Sequence, residues 1–294
     1  MTMRITAVHF TDPGCPWAYS ARPYHARLRW RFGDQLDWQL VTIGLAESAQ
    51  LYIDRGYTPA VQAAGARSFA TRFGMPFQYD EKPAISATSL GCRALVLVRE
   101  DAPDRVDAAL RALQLMQFTT LGLLEDPQAI REALATVDGI DADAVVARLD
   151  APATWERYDA DRAQARSAEG APTHVQRRTA KTDGLVRYTA PSVRFLHPDG
   201  RSGEVGGFQP FEAYDTILAN LEPGLTRQSG PEGPLEVLAA FPDGLVTAEV
   251  AEVLREELDP RDVPGTRAAL AELASTGAVQ SHPVGDDAVW TLAP

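Results

Sequence analysis

The chain has 294 residues, of which 45% are hydrophobic and 23% are charged, and a formal net charge of −12 at pH 7. This length suggests about two domains, and the composition excludes disordered, collagen-like and disulfide-rich classes. The acidic balance argues against nucleic acid or an anionic membrane as the main partner. No apolar run reaches the roughly 18 residues of a membrane span, and no secretory signal is recognisable, so we expect a cytoplasmic protein.

The number of cysteines and the spacing of the histidines indicate which disulfides and metal sites the chain can form. The two cysteines, Cys15 and Cys92, are too few for a disulfide framework and are expected to be free thiols in a reducing compartment. The histidines have no metal-ligand spacing, so no metal site is predicted. They are His9, His25, His174, His197 and His282.

The order of the predicted elements indicates an α/β fold. Strand patterns occupy residues 4–10, 37–43 and 185–197, and a hairpin partner and a helix follow the last of them. Between about 45 and 171 the apolar residues recur at helical spacing. We therefore predict one α/β domain over residues 1–225, with a helical insertion between its two halves.

The C-terminal part is predicted to be a separate small domain. Residues 226–234 are rich in proline and glycine and indicate a linker. Residues 235–294 carry three short helical patterns and then two strands, which is the order of a winged-helix α+β module. Residues 230–294 hold three arginines and twelve acidic residues. Because phosphate binding depends on cations, protein contact, dimerisation or a lid role is expected here instead of DNA binding.

The segment Asp12-Pro13-Gly14-Cys15-Pro16-Trp17-Ala18-Tyr19 is the strongest chemical signal, because it joins the first strand to the first helix. A cysteine at a helix start lies beside unpaired backbone N–H groups and the positive end of the helix dipole. Both features favour a thiolate, so a lowered pKa is expected for Cys15. Pro16 suits the first helical turn.

The Cys15-Pro16-Trp17-Ala18 sequence after a first strand resembles the C-P-x-C site of the DsbA family of thioredoxin-fold oxidoreductases. Thr189-Ala190-Pro191-Ser192-Val193 resembles the cis-proline segment of that family. The resemblance covers about residues 1–225 and implies a thioredoxin fold. It also implies that Pro191 faces Cys15 and that the flanking backbone, including Ala190, helps to bind substrate.

Ala18 departs from the family pattern, because it occupies the position of the second cysteine. A local disulfide is therefore excluded. Cys15 could act as a monothiol resolved by an external thiol, Cys92 could resolve it, or Cys15 could have no redox role. The motif also resembles the group of 2-hydroxychromene-2-carboxylate isomerases and kappa-class glutathione transferases. This resemblance implies a single serine at this position that holds a thiol cofactor without a second cysteine, and Cys15 would then be the cofactor-binding residue.

Five further residues are candidates because they lie near Cys15 or Pro191 in the sequence. Arg177, Arg178 and Lys181 precede Pro191 and could meet an anionic substrate or cofactor. His9 and His25 flank Cys15 in the sequence and could shuttle a proton.

Four aromatic residues near the predicted site are ambiguous. Trp17 and Tyr19 should comprise one rim and one core residue, whereas Trp155 and Tyr158 could line the same cleft or only pack.

These observations predict a DsbA-like thiol-disulfide oxidoreductase that works through Cys15 alone. The expected partners are a small thiol, similar to glutathione or mycothiol and not tightly bound, or a protein disulfide; a homodimer is also possible in this reading. The alternatives are a thiol-cofactor-dependent isomerase or transferase, and a binding protein without catalysis.

Overall fold

The fold begins with a strand–helix–strand unit. In the computed structural model, which describes residues 4–294, this unit comprises β1 (Ile5–Thr11), α1 (Pro16–Ser20), α2 (Arg22–Phe32) and β2 (Leu36–Thr42). The β-branched and aromatic residues of β1 favour an extended chain, and all but one of its seven residues are buried. The predicted opening of the domain is therefore confirmed.

The insertion between β2 and the second half of the domain is helical, as predicted. Its helices are α3 (Gln50–Ile53), α4 (Pro59–Phe73), α5 (Ser89–Asp101), α6 (Val106–Thr119), α7 (Pro127–Leu134), α8 (Ala142–Ala147), α9 (Pro152–Ala165) and α10 (Pro172–Val175). Thr58 caps α4 and Asp126 caps α7, in both cases with a side-chain oxygen that accepts a backbone N–H. The apolar faces of α5 to α8 form a core of their own.

The second half of the domain returns to strands. Its elements are β3 (Thr179–Lys181), β4 (Val186–Tyr188), β5 (Ser192–Leu196), β6 (Ser202–Gly206) and α11 (Phe211–Leu221). The strand predicted at 185–197 is thus two strands, because the chain turns at Pro191, which has no N–H to donate to a ladder. The pairing of β3 with β4 was not predicted.

One four-stranded sheet organises this domain, in the order β2-β1-β5-β6. β1 runs parallel to β2 and antiparallel to β5. His9 of β1 pairs with Leu40 and Val193 of its two neighbours. The central strand β1 therefore ends next to the start of β5, which brings the segment after Thr11 and the segment before Ser192 to the same edge.

The C-terminal part comprises α12 (Pro234–Ala240), β7 (Leu245–Val246), α13 (Thr247–Leu254), α14 (Val263–Ser275), β8 (Val279–Val284) and β9 (Asp287–Leu292). Its strands form a sheet in the order β7-β9-β8. The three predicted helices and the predicted hairpin are present, and β7 adds a third strand. The winged-helix assignment and the domain boundaries stay predictions.

The acidic charge of this C-terminal part is used in contacts with the first domain. Glu249 of α13, whose side chain is 1% exposed, pairs with Arg22 at 3.3 Å and with Arg111 at 2.7 Å. Glu252 pairs with Arg27 of α2 at 3.5 Å and, within the C-terminal part, with Arg261 at 2.8 Å. Buried ion pairs of this kind tolerate the loss of neither partner, so the two parts are held in one arrangement.

No helix within residues 4–294 combines the length and the apolar character that a membrane crossing requires. The same residues contain no group of three or more histidine, cysteine, aspartate or glutamate side chains suited to a metal ion.

Candidate active site

Asp12 organises the loop that presents Cys15. Its fully buried carboxylate accepts hydrogen bonds from the Gly14 N–H at 2.9 Å, the Leu45 N–H at 2.8 Å and the Thr88 hydroxyl at 2.9 Å. Burial raises the pKa of Asp12, and the two backbone N–H donors act against this rise. The loop is thereby tied to both the start of the insertion and the start of α5.

Gly14 allows the loop to approach α5 closely. A Cβ at this position would lie 2.5 Å from the Thr88 Cγ2 atom, a distance at which a side chain would displace the loop. The packing of Gly14 against a residue 74 positions away has no local signal in the sequence.

Cys15 is the N-cap residue of α1, as the motif predicts, and Pro16 occupies the first helical turn. The Cys15 Sγ atom lies 3.3 Å from the Ala190 carbonyl oxygen, to which the thiol donates. The Ala190–Pro191 peptide is cis. The structure thus brings together the two segments that the resemblance pairs, although the binding roles of Ala190, Pro191 and Pro16 stay predictions.

The thiol of Cys15 is buried, and this changes its chemistry. The residue is 5% exposed, and burial raises the pKa of Cys15 to about 12, while the backbone N–H groups of Ala18 and Trp17 act in the opposite direction. The expectation of a lowered pKa is therefore wrong for this structure. The helix N-terminus is present, but removal of water from the thiolate outweighs it.

Arg187 is a site residue that the sequence analysis missed. It is 8% exposed, and its guanidinium donates to the Thr182 hydroxyl at 2.8 Å and to the Tyr188 carbonyl at 3.0 Å. Its positive charge acts against the rise in the pKa of Cys15 that burial causes, but this effect is smaller than that of burial or of the backbone N–H groups. Its place in a strand four residues before Pro191 was the available signal, since a charged residue inside a buried strand requires a partner.

A cleft of about 330 Å³ opens beside Cys15. Its walls come from α3, α4, the segment before α5 and the end of α6, so the insertion covers the cysteine. Six aromatic residues contribute to the lining; they are Trp17, Tyr52, Tyr57, Phe69, Phe77 and Phe118. Asp80 and Lys82 are its charged residues. This volume lies at the small end of ligand pockets, so the cleft fits a small molecule.

The β8–β9 turn and Arg261 of the C-terminal part hold one wall of this cleft in place. The Phe77 N–H donates to the Asp286 carboxylate at 3.0 Å, and the Tyr79 hydroxyl donates to the same carboxylate. The Arg261 guanidinium donates to the Phe73 carbonyl at 2.9 Å. Gly285, with φ +55°, lies so close that a Cβ would be 2.7 Å from the Phe77 carbonyl oxygen.

Cys92 lies fully buried on α5, and its Sγ atom is 3.5 Å from the Asp12 carboxylate. It packs with Val96 and Tyr158, in a different apolar cluster from that of Cys15. Burial raises the pKa of Cys92 as well. Both cysteines are free, and a resolving role of Cys92 stays a prediction.

The predicted cations before Pro191 are exposed. The Arg178 carbonyl accepts a hydrogen bond from the Thr189 hydroxyl at 3.1 Å, which ties the backbone of this loop to the cis-proline segment. The side chains of Arg177, Arg178 and Lys181 are at the surface and do not line the cleft. Their binding role stays a prediction.

The two candidate histidines lie apart from the cleft. His9 and His25 are buried with their ring centroids 4.6 Å apart and pack against Trp38, and neither lines the cleft. Burial lowers the pKa of His9 to about 3, which leaves the ring neutral.

The structure shows where the four aromatic residues lie whose roles were ambiguous from the sequence. Trp17 is a rim residue, 40% exposed, that contacts Phe69, Phe73 and Phe208, whereas Tyr19 is fully buried. Trp155 and Tyr158 pack against each other and do not line the cleft.

Comparison with known proteins supports the fold. No protein-family model matches the chain, and no curated protein matches. Among solved structures, a candidate protein disulfide isomerase from Nitrosomonas europaea matches with a TM-score of 0.55 and 16% identity, over 74% of this chain and 97% of that one. A probable DsbA oxidoreductase from Streptomyces coelicolor matches with a TM-score of 0.54 and 18% identity, over 77% and 93%.

A third match is the cytosolic disulfide reductase DsbM from Pseudomonas aeruginosa, with a TM-score of 0.53 and 18% identity, over 74% of this chain and the whole of that one. The same reductase was also solved with glutathione, and that structure matches with a TM-score of 0.52. Since these identities are low, they bear on the fold. The chain therefore has the thioredoxin fold in the form found in DsbA-like structures, with a C-terminal extension.

Proposed function

We propose that the protein is a monothiol thiol-disulfide oxidoreductase of the cytoplasm and that Cys15 is its nucleophile. The observation that carries this proposal is the position of the Cys15 sulfur, at the N-terminus of α1 and 3.3 Å from the Ala190 carbonyl. The fold of the matched disulfide reductase, which its description places in the cytosol and with glutathione, adds support.

The reaction is an exchange in two steps. The Cys15 thiol loses its proton to solvent, and the sulfur attacks one sulfur of a small disulfide; the other sulfur leaves as a thiolate and takes a proton. A second small thiol then attacks the mixed disulfide on Cys15, carries away the bound half as a new disulfide and restores the thiol. Ala18 cannot supply the resolving sulfur, so an external thiol such as glutathione or mycothiol is required.

The resting site suppresses this reaction. The buried thiol is held neutral as a donor to the Ala190 carbonyl, and only a thiolate attacks. Movement of the cleft wall that admits a substrate also admits water, which removes the main cause of the raised pKa. The Trp17 and Ala18 N–H groups then stabilise the thiolate.

A second function is favoured by the same burial. A cysteine that stays protonated could hold the sulfur of a thiol cofactor by a hydrogen bond, as the resemblance to the isomerase and transferase group implies. In that case Cys15→Ser retains activity, because a hydroxyl also donates. Under the oxidoreductase proposal, Cys15→Ser abolishes exchange.

The test is exchange of a glutathione disulfide by the native protein and two single variants, followed by intact mass. We expect Cys92→Ser to form and resolve one mixed disulfide like the native protein, and Cys15→Ser to form none. An adduct on Cys15→Ser, or none on Cys92→Ser, would contradict the proposal.

A further inference from the structure

The cleft beside Cys15 carries information on the substrate that the sequence did not provide. Cys15 is 5% exposed, and residues of α4 and of the segment around Phe77 line the same cleft. A disulfide on the surface of a folded protein needs an open approach to the attacking sulfur. A compact molecule needs a smaller opening of the cleft wall than a folded protein does, and the aromatic lining favours an apolar body.

Lys82 gives the cleft a single cationic side chain. Its side chain is half-buried, and its ammonium group donates to the Gly122 carbonyl. No carboxylate within residues 4–294 lies within salt-bridge distance of it, although most arginines of the chain have such a partner. The other charged lining residue, Asp80, is exposed and binds the side-chain oxygen of Gln78 through its own N–H at 2.7 Å.

An ammonium group in this position is incompletely solvated. Burial lowers the pKa of Lys82 to about 8, and a desolvated cation gains most from an anion. Only one of the three ammonium protons is used by Gly122, so two remain for a ligand. Apart from Asp80, the polar residues that share the lining with Lys82, Gln117 and Ser86 among them, carry no charge.

We infer that the substrate is a small disulfide with an apolar, ring-sized body and a carboxylate, and that Lys82 binds this carboxylate while Cys15 attacks the disulfide. This inference rests on the proposed function. It makes Lys82 a specificity-determining residue, because an uncharged disulfide of similar shape would reach Cys15 without its help.

The test compares two aromatic disulfides in a Cys92→Ser background: 5,5′-dithiobis(2-nitrobenzoate), which carries carboxylates, and 2,2′-dithiodipyridine, which is uncharged. Lys82→Gln removes the charge and Lys82→Arg restores it. The chain has one other lysine, Lys181, which is exposed on β3; Lys181→Gln is the matched control.

We expect Lys82→Gln to slow the carboxylate probe about tenfold, the effect of losing one charge-assisted hydrogen bond, and to change the uncharged probe less than about twofold. Lys82→Arg should recover most of the rate, and Lys181→Gln should match the parent. Equal loss for both probes would indicate a structural role of Lys82 and overturn the inference, as would no change for either probe. If the uncharged probe fails to modify Cys15 in every variant, the proposed function fails as well.

Discussion

The reactivity of Cys15 in the free protein should increase steeply with pH. Burial raises the pKa of this thiol from 9.0 to about 12, so the native protein holds about a thousandfold less thiolate near pH 8 than the unfolded chain does. Alkylation by iodoacetamide proceeds through the thiolate. The rate for native protein should therefore climb about tenfold per pH unit through pH 9, where the unfolded chain begins to level off.

The assay uses a Cys92→Ser background, so that Cys15 is the one thiol present, and follows the alkylated mass between pH 6 and pH 10. The same variant in urea supplies the unfolded reference. A native rate that levels off at or below pH 8 would show a stabilised thiolate. That result would refute the argument that desolvation outweighs the helix N-terminus at this site.

Three further outcomes follow from the contacts described above. Asp286→Ala frees the cleft wall and should raise the alkylation rate of Cys15 at pH 8 about tenfold, since water returns to the sulfur; an unchanged rate would show that the β8–β9 turn does not control access to the cleft. Glu249→Gln removes the carboxylate partner of Arg111 and one of the two carboxylates that pair with Arg22, the other being Asp107; it should lower the free energy of unfolding by about 3–5 kcal/mol in urea titrations, and a loss below about 1 kcal/mol contradicts this. Burial lowers the pKa of His9 and of His25, so below pH 6.5 the unfolded chain binds protons that the folded chain does not bind. The free energy of unfolding should therefore fall by about 1.4 kcal/mol per histidine for each unit by which the pH is lowered. Equal stability at pH 6.5 and pH 5 would contradict the buried, neutral pair.

The local chemistry of the motif was predictable because it depends on neighbours in the sequence. Cys15 lies at a helix N-terminus because a strand and a turn precede it and a helix begins at Pro16. This position does not depend on the tertiary structure around the motif. The approach of Ala190 required the resemblance, since a contact between residues 175 positions apart has no local signal. The break at Pro191 could have been read from its missing N–H.

The environment of the thiol could not be predicted, because it comes from residues that no motif marks. Helices α3, α4 and α6 contribute to the lining of the cleft, and Asp286 in the β8–β9 turn holds its wall. A lowered pKa follows from the helix dipole alone, but burial, which reverses the sign, is a property of tertiary structure. Lys82 was not predicted as a site residue either, because it belongs to no sequence motif.

The acidic C-terminal part shows which contacts composition alone cannot assign. Its charge argued against DNA, and the structure uses Glu249 and Glu252 to bind arginines of the first domain. Pairing of charges between segments more than 200 residues apart is invisible to composition.

The most direct test of the central claim is the intact mass of the Cys92→Ser protein after reaction with a small disulfide, before and after addition of excess glutathione. Our account predicts one mixed disulfide on Cys15 that disappears when the second thiol is added, with the protein returned to its starting mass. A protein that never acquires the adduct, or that acquires one which glutathione does not release, would contradict catalysis by a single cysteine.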